Sequence, residues 1–196
     1  MPSAPGELAP DRPALRSRTP PQVFGMVLFL ASELMFFGGL FAAYFALRSN
    51  TSPWPPSGVN LDMELTIAAT VLLTASSFTM HAGTTGLRRG DHRALRRWLS
   101  VTFALGTVFL AIKGYEFATA GFGVDSHAYG TLFFTMLGAH GAHLAVGLAL
   151  IPVVTARAAR GVYGPRHLGG PEAVGYYWHF VDAVWLTIFG TIYLIR

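Results

Sequence analysis

The chain has 196 residues, of which 52% are hydrophobic and only 12% charged, with a net charge of +4 and no cysteine. Ordinary soluble domains carry about 25% charged residues, so this chain cannot clothe a water-facing surface, and its apolar residues gather in blocks long enough to cross a bilayer, for which about 20 suffice. A soluble enzyme, a disulfide scaffold, a disordered chain, thiol catalysis, iron–sulfur ligation and Cys-type zinc sites are all excluded.

Residues 1–22 read as a flexible cytoplasmic tail bearing Pro and Arg, without the short apolar core of a cleavable signal. Residues 23–196 then read as one transmembrane domain. Span one covers about 23–47 and ends in the turn-rich run Ser49-Asn50-Thr51-Ser52-Pro53-Trp54-Pro55-Pro56. Span two covers about 62–87, with Asp62 and Glu64 placed where a helix N-terminus favours negative charge. A basic hairpin follows, with Arg88, Arg89, Arg93, Arg96 and Arg97. Spans three and four cover about 98–120 and 127–156, with Gly121 and Gly123 between them. A second basic loop holds Arg157, Arg160 and Arg166, and span five covers about 171–195. No internal repeat is visible.

The basic residues set an orientation. The tail, the 2–3 hairpin and the 4–5 loop hold eleven of the fourteen. Basic loops stay on the cytoplasmic side, so the predicted architecture is an all-α, polytopic bundle of five transmembrane helices, N-terminus cytoplasmic and C-terminus outside. The arginines sit at membrane edges, which argues against nucleic acid as their partner. Small residues at four-residue spacing (Gly38-Gly39 before Ala42-Ala43, Gly138 before Ala142) are expected where helix backbones approach closely.

Ionisable groups inside spans are costly and therefore informative. They are Glu33 in span one, Lys113 and Glu116 in span three, His140 and His143 in span four, and His179 and Asp182 in span five. At 1.5 Å per residue, Glu33 lies roughly 15 Å and Asp182 roughly 17 Å from the cytoplasmic ends of their helices. These two carboxyls and the three histidines are therefore expected in one polar layer at mid-membrane. Lys113 and Glu116, three apart, share a face and are expected to pair. His140-x-x-His143 and His179-x-x-Asp182 also each share a face, which admits metal or haem ligation. A metal site usually needs three or four convergent ligands, so interhelical hydrogen bonding is the reading preferred for these four. Glu33 has no cation within helical reach in its own span, so any partner must come from another helix. His81 falls near the cytoplasmic end of span two.

Several segments resemble a known family. Leu30-Ala31-Ser32-Glu33-Leu34-Met35-Phe36-Phe37-Gly38-Gly39 and Trp178-His179-Phe180-Val181-Asp182 are similar to signature segments of cytochrome c oxidase subunit III. Gly138-Ala139-His140-Gly141-Ala142-His143 and Lys113-Gly114-Tyr115-Glu116-Phe117 are similar to further family segments, in the same order. The likeness is to the short, five-span form, and the run with Trp54-Pro55-Pro56 and the Arg96-Arg97-Trp98 segment resemble bacterial versions, actinobacterial ones among them.

The resemblance implies a non-catalytic core subunit of a proton-pumping terminal oxidase in the bacterial plasma membrane, reducing O2 with electrons from cytochrome c. It implies no haem or copper in this chain; those belong to partner subunits I and II. It further implies bound phospholipid, support of proton uptake, and, as one possible setting, a supercomplex with a cytochrome bc complex. By the same resemblance Glu33 matches the family's intramembrane glutamate, His179 and Asp182 its final-helix motif, and Glu116 its mid-chain glutamate. Arg157 falls where the family has a basic residue suited to a lipid phosphate. Relatives serving quinol oxidases or accompanying nitric oxide reductases are the alternative, and a small transporter the distant one, since inverted repeats and broken helices are absent from the pattern.

Overall fold

A computed structural model describes residues 20–165 and 167–195. The tail up to residue 19, with Arg12, Arg16 and Arg18, and also Arg166 and Arg196, lie outside the described residues. The elements of the described chain are all helices: α1 (Pro21–Asn50), α2 (Met63–Arg88), α3 (His92–Thr119), α4 (Ala128–Ala159) and α5 (Gly169–Ile188). A π-helical extension, Phe189–Leu194, continues α5 without a break. Helices α1 to α4 are long and apolar enough to cross a membrane.

The helix ends follow local chemistry. Pro21 opens α1, where a missing N–H costs nothing and the fixed φ suits the first turn. Asp62 accepts from Leu65 N at 3.0 Å and Asp91 accepts from Arg93 N and Ala94 N at 2.9 Å, so each caps its helix. The Asp91 cap starts α3 six residues earlier than span three was expected to begin. Arg93, Arg96 and Arg97 are thus helical and not part of a loop, which long basic side chains permit at a membrane edge. The turn before α3 closes at Gly90, φ +82°, with Gly90 N to Leu87 O at 2.9 Å and Asp91 N to Gly86 O at 3.0 Å. That pair of bonds satisfies the last carbonyls of α2 and needs the left-handed residue glycine supplies.

The helices alternate in direction. One end of the bundle gathers the start of α1, the α2–α3 turn and the start of α5; Arg88 and Glu172 pair there at 2.9 Å. This is the basic end, carrying Arg88, Arg89, Arg93, Arg96, Arg97, Arg157 and Arg160. The other end gathers the α1–α2 loop and the π-helix. There the Trp54 indole donates to the Tyr44 hydroxyl at 3.1 Å, and Tyr44 donates to the Thr191 carbonyl at 3.2 Å.

Helix α5 packs against α1, α2 and α4 and fills the centre. Its Trp178 is the wedge: a Cβ on Gly106 of α3 would lie 2.6 Å from the indole, and one on Gly147 of α4 would lie 3.0 Å from it. Both glycines therefore exist as room for one buried ring. Helices α2 and α3 are also in backbone contact, since a Cβ on Gly86 would lie 2.8 Å from Ala94 Cβ. The stripe expected to do this work does something else. Gly38, Gly39 and Gly138 have nothing within 4 Å of an added Cβ, so these small residues lie on open faces of α1 and α4. Helix α1 itself buries only Val23, Phe37 and Tyr44, a narrow heptad-spaced line, and exposes Phe24, Leu28, Leu34 and Met35.

Candidate functional site: paired charges between the helices

The ionisable residues make three sets of contacts, each joining different helices. Glu33 finds its partner on α4. Its Oε2 lies 2.9 Å from His143 Nε2, and both side chains are 19% exposed. His143 Nδ1 lies 2.7 Å from the Ala139 carbonyl, which only accepts, so Nδ1 carries a hydrogen. A carboxylate facing a bare Nε2 would set lone pair against lone pair, so one proton sits between the two atoms. Either a carboxylic acid donates to imidazole or imidazolium donates to a carboxylate. The pair has no net charge in both forms, which is what a half-buried membrane site requires. Phe36 and Phe37 flank the imidazole with ring centroids 6.2 and 5.2 Å away, and the Tyr177 hydroxyl donates to the His143 carbonyl at 2.8 Å. The site thus joins α1, α4 and α5.

The second group lies nearer the opposite end. Lys113 donates to Glu116 Oε2 at 2.6 Å and to Thr66 Oγ1 at 3.3 Å, and Tyr193 donates to Glu116 Oε1 at 2.6 Å. The ammonium also sits 4.6 Å from the Trp185 ring centre and 5.0 Å from that of Tyr193. The expected i, i+3 pairing holds, and the cluster extends further than the sequence indicated. Residues of α2, α3, α5 and the π-helix meet on one buried ion pair.

The third group lies toward the basic end. Ser77 of α2 donates to Asp182 Oδ2 at 2.6 Å, while Asp182 Oδ1, buried, has no hydrogen-bond partner. His179, one turn nearer that end, lines a cavity of about 160 Å³ with His81, Thr84, Arg88, Glu172 and Tyr176. His140 is hydrogen-bonded to none of the three sets. It is enclosed between Phe109 and Trp185, at centroid distances of 6.0 and 5.3 Å, with neither ring nitrogen hydrogen-bonded. Among the described residues, no three His, Asp or Glu side chains converge as a metal would need. Arg157 is exposed at the end of α4, its guanidinium 5.9 Å from the Tyr163 ring centre.

Sequence reasoning did not identify Thr66, Ser76, Ser77, Tyr177 or Tyr193. Each supplies a hydroxyl to an ion pair, a carboxylate, an indole or a carbonyl on another helix, for example Trp178 Nε1 to Ser76 Oγ at 2.9 Å. Their signal was a polar residue on an otherwise apolar helical face, which is weak because serine and threonine also satisfy their own helix. Thr70 does both: it donates to the Thr66 carbonyl at 2.8 Å and accepts from Trp185 Nε1 at 3.0 Å.

Comparison with known proteins completes the identification. The family model described as cytochrome c oxidase subunit III matches residues 20–195. The cytochrome c oxidase subunit 3 of Thermostichus vulcanus is 38% identical over 175 residues, covering 89% of this chain and 87% of the relative. The probable cytochrome c oxidase subunit 3 of Nocardia farcinica is 40% identical over 176 residues, covering 88% and 87%. The cytochrome c oxidase subunit 3 of Corynebacterium diphtheriae is 38% identical over 194 residues, covering 96% and 95%. The ionisable pairs of the spans lie within the matched segment, and the chain belongs to the cytochrome c oxidase subunit III family.

Proposed function

We propose that the chain is a non-catalytic subunit III of a terminal oxidase that reduces O2 with electrons from cytochrome c in a bacterial plasma membrane. In this reading it crosses the membrane five times, with the basic end cytoplasmic and the fifth crossing made by α5 and its π-helical extension. Residues 23–196 form the membrane domain behind a cytoplasmic tail. Haem and copper reside in subunits I and II, and this chain holds subunit I steady under turnover and supports proton uptake.

The observation that carries this reading is how the ionisable groups are used. Glu33 with His143, and Lys113 with Glu116 and Tyr193, are closed sets that join helices. Trp178, Trp185 and Phe109, each fully buried, fill the space between the cavity at the basic end and the one beside Glu116 at the other end. Such packing suits a scaffold and disfavours a transporter. The open apolar face of α1 is the surface on which a partner subunit or lipid would pack. Glu33, at the edge of that face, is assigned to holding α1 in place; His179 and Asp182 are assigned to the α2–α5 seam. Arg157 is assigned to a lipid phosphate.

The test is affinity purification through a tag on this chain from its native membrane, with an optical spectrum and oxygen uptake on the eluate. Haem bands with cytochrome c-driven uptake are expected, and the isolated chain should show no Soret band. Quinol-driven uptake without cytochrome c activity would move the chain to a quinol oxidase. Stoichiometric haem on the isolated chain would overturn the reading.

A further inference from the structure

Of the caps that open α2, α3 and α4, one differs in kind. Asp62 and Asp91 start α2 and α3 with carboxylates, whereas α4 starts on the imidazole of His127. The backbone of His127 is extended, and its Nδ1 accepts from the Gly130 N–H at 2.8 Å. A backbone N–H only donates, so Nδ1 holds a lone pair and the ring is neutral, with its hydrogen on Nε2. A carboxyl group keeps a lone pair for such a bond even when it takes a proton. An imidazole does not: once protonated, Nδ1 is a donor facing a donor.

This cap holds more than one amide. Residues 120–127 join α3 to α4 and fold back onto the first turn of α4. Thr131 Oγ1 donates to the Val124 carbonyl at 2.7 Å, and the Gly123 N–H donates to Ser126 Oγ at 2.8 Å. Loop and helix touch at Gly130, where a Cβ would lie 2.5 Å from the Gly123 carbonyl oxygen and 3.2 Å from the His127 ring. Phe122 of the loop lies 5.4 Å from the imidazole and 5.3 Å from Phe133 by ring centroids, so the loop carries a ring into the aromatic cluster of α4. The Tyr129 ring lies 6.1 Å from the imidazole. Asp125, in the same loop, turns its Oδ1 toward Gly123. Of the other charged groups at this end, Asp62 caps α2, Glu116 holds Lys113, and Glu64 and Arg48 stand in the terminal turns of α2 and α1. None of the ion pairs among the described residues includes His127.

We propose that His127 makes the α3–α4 loop a pH-sensitive latch, closed on α4 while its imidazole is neutral and released when the imidazole takes a proton. Two effects act in the same direction. Protonation removes the acceptor for Gly130 N–H, and it sets a cation at the positive end of the α4 dipole. The latch is therefore closed above the range in which imidazoles titrate and is lost as pH falls through it. Release frees Phe122 and loosens the joint between α3 and α4 at the end where Glu116 and Lys113 pair. In the orientation proposed above, this end lies outside, and the latch reads the pH there. The latch rests on that reading only for the side it faces; its chemistry depends on neither the orientation nor the oxidase assignment.

The experiment is hydrogen–deuterium exchange with mass spectrometry on the intact tagged complex in detergent, at about pH 8 and about pH 5, either side of the ordinary imidazole range. Rates are corrected for the intrinsic pH dependence of amide exchange, and haem absorbance on the same sample reports separately on the oxidase assignment. In the wild type, protection of residues 121–131 should fall about tenfold at the lower pH, the effect expected of a lost cap together with a cation at a helix N-terminus. His127→Asn keeps a side-chain acceptor that does not titrate and should hold its protection within about twofold. His127→Ala, with no acceptor, should show the low protection at both pH values. Equal protection of the wild type at both pH values, the same fall in His127→Asn, or full protection in His127→Ala would each overturn the proposal.

Discussion

Replacing Lys113 by Met tests whether the buried ion pair holds together the half of the bundle away from the basic end. The pair is closely enclosed, with side-chain exposures of 8% for Lys113 and 7% for Glu116. Glu116 keeps one other partner, the Tyr193 hydroxyl at 2.6 Å, so Lys113→Met leaves a carboxylate buried with a single donor. Breaking a buried pair in this way costs about 3–5 kcal/mol, because the remaining charge is uncompensated. Glu116→Gln should cost a similar amount, since it strands the ammonium. The double variant removes both charges and should lose only the contact of Lys113 with the Trp185 and Tyr193 rings, about 2 kcal/mol when desolvated. For a chain of this size 1 kcal/mol moves Tm by about 2–4 °C. Each single variant should therefore melt roughly 10 °C lower and the double roughly 5 °C lower. The assay is thermal unfolding of the purified subunit in detergent, followed by tryptophan fluorescence. A double variant whose loss equals the sum of the single losses would refute the reasoning.

The remaining predictions concern the other groups. Glu33→Gln keeps a donor for His143 Nε2 while Glu33→Ala does not, so oxidase turnover should start within about twofold of wild type in both. Activity should then decay faster for Ala than for Gln, as followed by oxygen electrode; equal lifetimes would remove Glu33 from any stabilising role. Gly106→Ala brings a Cβ to 2.6 Å from the Trp178 ring and should cost about 1–3 kcal/mol of stability. Gly38→Ala meets nothing in this chain and should leave its melting unchanged; loss of the subunit from the oxidase on purification would then mark the open face of α1 as a subunit contact. Ser77→Ala removes the donor to Asp182 Oδ2 and should lower Tm by a few degrees with an unchanged haem spectrum; a shifted Soret band would contradict the assignment of this seam.

Local chemistry was legible in the residues and distant pairing was not. The i, i+3 spacing of Lys113 and Glu116 announced their bond, and Asp62 announced the start of α2. The partner of Glu33 lies 110 positions away on α4, and nothing in the spacing of either helix selects His143 over His140 or His179. The start of α3 reads late because five arginines look like a loop, whereas the Asp91 cap and the length of the arginine side chain let Arg93, Arg96 and Arg97 stand on a helix. Glycine positions were legible and their partners were not: Gly106 and Gly147 face an indole from α5, while Gly38 and Gly39 face nothing in the chain. The π-helical extension that brings Tyr193 to Glu116 leaves no mark in hydropathy, since its residues, Phe189–Leu194, read as the end of an ordinary span.

The most direct test of the central claim is to remove this chain from the purified oxidase and compare the remainder with the intact complex. Identical haem spectra, a similar initial rate of cytochrome c-driven oxygen uptake, and a shorter active lifetime that the added subunit restores are expected. Loss of haem absorbance along with the chain would contradict it.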